Sequence, residues 1–138
     1  MKKELESQLI EEFPDFFKDM YGDPKVTCMH WGCACGEGWY GIIHEICAKL
    51  KALGVEEFKF AQIKEKFGTL RLYYEYKKFP LGLRHVLNDV VWKTIKEAEE
   101  ESAKVCELCG SREEIETKAN RGWIQTLCAK CRQQASVK

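Results

Sequence analysis

Apolar side chains recur at three- and four-residue intervals in three stretches of the chain and at two-residue intervals in a fourth. In residues 2–13, Leu5, Leu9, Ile10 and Phe13 fall at helical spacing with Glu and Lys between them, which predicts a short amphipathic helix. Pro14 ends that pattern. "PDFFKDMYGDP" predicts one further helical turn with Asp15 as its cap, and Gly22 and Pro24 then open a loop. Lys25–His30, "KVTCMH", reads as a short strand. In "GCACGEG" three glycines within seven residues prevent regular structure. From Trp39 the helical period returns. Trp39, Ile42, Ile43, Ile46, Leu50 and Leu53 form a stripe, and Gly54 supplies the C-terminal stop.

Period two appears in "EEFKFAQIKEKFGTLRLYYEYKK". Phe58 and Phe60 alternate with polar neighbours before the turn, and Leu70, Leu72, Tyr74 and Tyr76 after it, which predicts a β-hairpin with Gly68 at its turn. Phe79 to Gly82, with Pro80, breaks the pattern. Residues 83–103 predict the longest helix, with Val86, Leu87, Val90, Val91, Ile95 and Ala98 as its buried stripe and "KEAEEES" as its solvated end. The pattern as a whole predicts an α+β fold in which a small antiparallel sheet, centred on residues 57–76, packs on the 39–53 and 83–103 helices. Apolar density falls beyond Val105. This places a boundary near 103–105, between an α+β core domain (1–103) and a zinc-ribbon-like tail (104–138).

Composition adjusts this picture only slightly. The chain has 138 residues, 45% of them apolar, with four Trp, five Tyr and seven Phe, enough for one real core. No apolar run reaches the roughly 18 residues of a membrane span. "MKKELESQLIEEF" lacks the apolar segment of a secretory signal, so a cytoplasmic location is expected. Twenty-two cations balance twenty-two acids. Such neutrality argues against generic nucleic-acid binding, though not against a local basic face.

The chemistry lies in the eight cysteines, which in a reducing compartment read as ligands or buried apolar residues. Cys106 and Cys109 form one C-x2-C pair, and Cys128 and Cys131 form another after eighteen intervening residues. Two intervening residues let both thiolates of a turn face one centre, and Gly110 gives the backbone freedom such a knuckle uses. Four thiolates suit one tetrahedral Zn2+ per chain and leave no position open for water, so the expected site is structural.

Cys28, Cys33, Cys35 and Cys47 remain. A second metal could draw on Cys28, His30, Cys33 and Cys35, but the spacing is irregular, and we expect Cys33 and Cys35 to diverge unless the loop curls. The reading preferred for Cys28, Cys33 and Cys47 is ordinary thiols. Cys35 precedes a helix, where a thiol is activated, yet a nucleophile needs a base and an orienting group. "HEICA" has Ala48 where a metalloprotease needs its second His. The H-x-E and P-C-x-x-C of a zinc deaminase are likewise missing. No enzymatic activity is expected, and "CGEGWY" reads as a glycine turn that feeds the Trp39 helix.

"CGEGWYGIIHEIC", "QIKEKFGTLRLYY", and the pair "CELCG" and "GWIQTLCAKC" resemble a group of small bacterial and phage-encoded proteins of uncharacterised function. That group shares a CG-acidic-GW turn, a KEKFG-[TG]-LR hairpin and a C-terminal four-cysteine zinc ribbon. The resemblance spans Cys35 to Cys131. Only Cys35 of the four early cysteines belongs to the shared turn. For a phage-encoded member the resemblance implies a protein that binds and redirects a host protein in the host cytoplasm. It implies no activity.

The hairpin interleaves Tyr73, Tyr74 and Tyr76 with Lys59, Lys64, Lys66, Arg71, Lys77 and Lys78. From Lys104 on, seven cations face four acids, and Trp123 follows Arg121-Gly122. Lys64, Lys66, Arg71, Arg121 and Trp123 are therefore the expected partner-binding residues. The expected function is a non-enzymatic binding protein, an adaptor or inhibitor acting on a host protein. The alternative is a nucleic-acid-binding zinc ribbon, since cations interleaved with rings also suit single strands.

Overall fold

The computed structural model describes residues 1–77 and 84–137. The expected break at Phe79–Gly82 and the cation Lys78 lie outside them. Helix α1 spans Lys3–Glu12, α2 Tyr40–Leu53, α3 Arg84–Ser102 and α4 Ala129–Val137. Strands β1 (Cys33–Ala34), β2 (Lys59–Lys66) and β3 (Thr69–Glu75) form one sheet in that order, and β4 (Glu116–Asn120) pairs with β5 (Trp123–Leu127) in a second. The fold is α+β, as the periodicities predict. The main sheet is mixed, because β1 runs parallel to β2 while β2 and β3 are antiparallel.

Both hairpins turn on an Xaa-Gly pair with positive φ at both residues: Phe67 (54°) and Gly68 (84°), then Arg121 (54°) and Gly122 (83°). That geometry matches the right-handed twist of the flanking strands. The register then follows: Lys66 faces Thr69, Lys64 faces Arg71 and Ile63 faces Leu72. A bulge between Phe60 and Gln62 shifts the phase, so Phe60 and Ile63 both reach the core.

One apolar cluster occupies the space between the sheet, α1, α2 and α3, with Trp39, Phe17, Phe58, Phe60, Ile63 and Leu70 among its largest members. α2 buries Ile42, Ile43, Ile46, Cys47 and Leu50, and Gly54 closes it in the left-handed region (φ 70°). A smaller cluster joins Cys106, Leu127, Cys128 and Cys131. The free edge of β3 is covered by α3: Leu70 N–H donates to Ser102 Oγ (2.9 Å) and Leu72 N–H to Glu99 Oε2 (2.9 Å). This satisfies backbone donors that an open edge would expose.

Three expectations need correction. Lys25–His30 is no strand. Thr27 Oγ1 accepts the Met29 N–H (3.1 Å) and caps a 3-10 turn over Cys28–Trp31, so the local cap outcompetes extension. Residues 14–21 form successive turns rather than a further helical turn, and they insert Phe16 and Phe17 into the core. In α3, Val86 and Val90 are exposed and Leu87 is half-buried. The buried positions are Val91, Ile95, Ala98 and Ser102, because the C-terminal half of the helix is what meets β3 and α2.

Candidate metal centre

The first knuckle is shaped by its own backbone. Gly110 takes φ 80°, its N–H donates to the Cys106 carbonyl (2.9 Å), and Cys106 N–H donates to the Ser111 carbonyl (2.8 Å). This hairpin-like wrap turns Cys106 and Cys109 toward one point. The second knuckle leads from β5 into α4, with Arg132 N–H bonded to the Cys128 carbonyl (2.9 Å). The ligand atoms of Cys106, Cys109, Cys128 and Cys131 all lie within 4.8 Å of one another. Cys109 Sγ and Cys128 Sγ are 3.7 Å apart. Four thiolates around a tetrahedral ion with bonds of about 2.3 Å would stand about 3.8 Å apart, so the spacing fits such an ion directly.

The electrostatics suit a cation as well. Cys131 N–H donates to Cys128 Sγ (3.4 Å), and this bond pulls the Cys128 thiol down to about 7. Burial pushes the Cys131 thiol up, so without a cation that proton is retained. A metal ion would displace it. Cys106, Cys128 and Cys131 are buried and Cys109 faces solvent. Four protein ligands would complete a tetrahedron around an ion and leave no position open, which suits a structural clasp.

The glycine turn "CGEGW" has a role beyond feeding α2: it is the seat of the first knuckle. Gly38 N–H donates to the Glu107 carbonyl (2.7 Å), Gly36 N–H to Glu107 Oε2 (3.0 Å), and Trp39 Nε1–H to the Val105 carbonyl (2.9 Å). A Cβ on Gly36 would collide with the Glu107 carbonyl oxygen, and one on Gly38 with that of Cys106. Both glycines are there for close approach of two backbones. Glu107 is itself buried, which raises its carboxyl above the usual range, and its Oε1 has no partner among the described residues. The "FGT" turn seats the other side of the ribbon. A Cβ on Gly68 would meet Thr117 Cγ2 at 2.8 Å and Thr126 Oγ1 at 3.0 Å. Thr126 Oγ1 donates to the Gly68 carbonyl (2.5 Å), and Trp123 Nε1–H donates to Glu65 Oε1 (3.2 Å).

The early cysteines do not gather. Cys33 and Cys35 are both buried and Ala34 between them is exposed, so the two share a face, as residues two apart on a strand do; the expected divergence is wrong. Cys28 is exposed on its 3-10 turn, and His30 Nδ1 lies 2.5 Å from the Gly22 carbonyl oxygen. Cys33, Cys35 and Cys47 belong to the main core. Burial pushes the Cys35 thiol up to about 12, and it raises Cys33 and Cys47 too, opposite to what a nucleophile needs. His44 sits 2.5 Å from Glu12 at the surface. Among the described residues, the only group of three or more potential ligands is the four-cysteine one.

Of the five expected contact residues, Lys64 and Arg71 face each other on the outer side of the sheet. Lys66 stands at the hairpin turn, Arg121 at the ribbon turn, and Trp123 bridges the two hairpins while 60% exposed. Sequence reasoning missed buried Glu6, whose carboxylate accepts from Cys33 N–H (2.5 Å) and Tyr21 O–H (2.6 Å). It also missed Thr126, Glu107 and α4. The one available signal was Arg121-Gly122, which repeats the Xaa-Gly form of Phe67-Gly68. Comparisons with family models, with curated proteins and with solved structures returned no match.

Proposed function

We propose that this chain is a non-enzymatic binding protein whose ribbon is closed by one structural Zn2+ and whose working surface is formed by the two hairpin tips. Zinc is the reading of choice because four thiolates in paired C-x2-C knuckles suit a tetrahedral Zn2+ and leave no position open for water. The observation that carries the surface is the clamp between the hairpins. Trp123 is tied to Glu65, and Thr126 to Gly68. Two cation-bearing, aromatic turns 54 residues apart in sequence are thereby held side by side, with Glu65 on the face of β2 opposite to Lys64. A rigid scaffold that presents such side chains suits recognition. Lys64, Lys66 and Arg71 form no ion pair among the described residues, whereas Lys59 on the same hairpin is held by Asp19 (2.8 Å).

A comparative capture experiment tests this. Immobilised wild-type protein and a K64E/K66E/R71E variant are exposed to the same lysate. The expected result is a partner retained by the wild type and lost by the variant, at unchanged melting temperature and zinc content. Equal capture by both would place the working surface elsewhere.

A further inference from the structure

We infer that the partner of this surface is a single-stranded nucleic acid. The inference rests on the contact-surface reading above and assigns its chemistry. Lys64 and Arg71 are directly opposed across β2 and β3. Like charges so placed repel, and no carboxylate pairs with either among the described residues. Arg71 Nε is buried there without a hydrogen-bond partner. The sheet thus holds two cations together and leaves their compensation to something else. Lys66, at the turn, adds a third cation and Arg121 a fourth.

Rings accompany these cations. Tyr73 lies beside Lys64, whose Nζ is 5.7 Å from the ring centroid, and Phe67 lies beside Lys66 at 5.5 Å. Tyr73, Phe67 and Trp123 are 46, 64 and 60% exposed. The Trp123 indole N–H is held by Glu65, which fixes the ring while leaving much of it open. The exposed aliphatic side chains (Val26, Val86, Val90 and Leu108) belong to other elements. The surface therefore offers π-faces and cations but no aliphatic anchor. Bases stack on rings whatever their identity, and phosphates meet the cations between them. The neutral net charge does not oppose this, because Lys64 and Lys66 each stand beside an exposed ring with no ion pair among the described residues.

The test is fluorescence anisotropy of the intact zinc-loaded chain with labelled oligo-dT and oligo-rU of about 12 nucleotides, starting at about 50 mM salt. Single-strand phosphate contacts contribute a log–log salt slope of about −0.7 each, so four cations predict about −3. K64Q/R71Q should weaken binding and make that slope shallower by about 1.4. Tyr73→Ala should weaken binding by about 5- to 150-fold through a lost stacked base. Should K64Q/R71Q fail to fold, K66Q/R121Q at exposed turns tests the same expectation. Oligonucleotide binding that is absent, or unchanged in these variants, overturns the inference. Polyglutamate bound in place of oligonucleotide, and lost in the same variants, would assign the partner to acidic proteins and leave the contact surface standing. If neither polyanion binds and the lysate capture is also unchanged by charge reversal, both readings fall.

Discussion

Gly38 marks how closely the knuckle approaches the core. Its Cα faces the Cys106 and Glu107 backbone with no room for a methyl group. Gly38→Ala should therefore cost at least about 2 kcal/mol, as overpacking of a rigid contact does, and denaturant unfolding of the zinc-loaded protein will measure it. The same substitution at Gly41, where nothing lies within 4 Å, should be tolerated. The buried thiols give a second residue-scale expectation. Because burial raises Cys33, Cys35 (to about 12) and Cys47, the folded state holds their protons more tightly than the unfolded chain. Their contribution is fully present below the unfolded thiol pKa of about 8.5 and is lost as pH rises beyond it. Stability should decline from about pH 8.5 upward, and native-state alkylation near pH 8 should modify exposed Cys28 while sparing those three. A C33A/C35A/C47A variant that keeps the same alkaline decline would contradict this source. At this scale the four-cysteine cluster was legible, because spacing alone converges two knuckles. The role of Gly36 and Gly38 was not, because nothing local in "CGEGW" reveals that a backbone 70 residues later rests on it.

Among the elements, the two hairpins and α3 carry the ribbon. Thr126 donates to the Gly68 carbonyl and meets Thr117 Oγ1 at 2.7 Å. Thr126→Val keeps the shape but leaves the Gly68 carbonyl and the Thr117 hydroxyl without that partner. A loss of about 1–3 kcal/mol is expected, together with easier loosening of Trp123 from Glu65, visible in indole fluorescence. Helices α1, α2 and α3 and the first hairpin were legible through period and turn chemistry. α3 was legible in type but not in face. Val86 and Val90 continue the apolar repeat, yet the sheet and α2 meet the helix further along, at Val91, Ile95 and Ala98. The strand expected at Lys25–His30 failed for a local reason, the Thr27 cap. The second partner of β2, besides β3, is the two-residue β1, too short for any periodicity to announce.

Across the whole molecule, three stretches far apart in sequence meet at the ribbon. "CGEGW" seats the first knuckle, "KFGT" seats the β4–β5 hairpin, and the four cysteines close around one point. No helix among the described residues is long and apolar enough to cross a membrane. The ribbon's own apolar cluster is only four buried residues with Ile115 and Ala135 packed on it. With the proposed zinc bound, so small a core would draw its hold from the metal, so zinc binding and ribbon folding should be one process. Chelation should then melt the ribbon and loosen Trp39, whose indole N–H is anchored to Val105 at the ribbon's entrance. The most direct measurement is the metal content of the purified chain by native mass spectrometry with elemental analysis, for the wild type and for Cys109→Ser. One zinc per wild-type chain, and loss of that zinc or of its tight retention in the variant, is the expected result. Two zinc equivalents, iron in place of zinc, or a variant that holds its metal as firmly as the wild type would contradict the four-thiolate clasp.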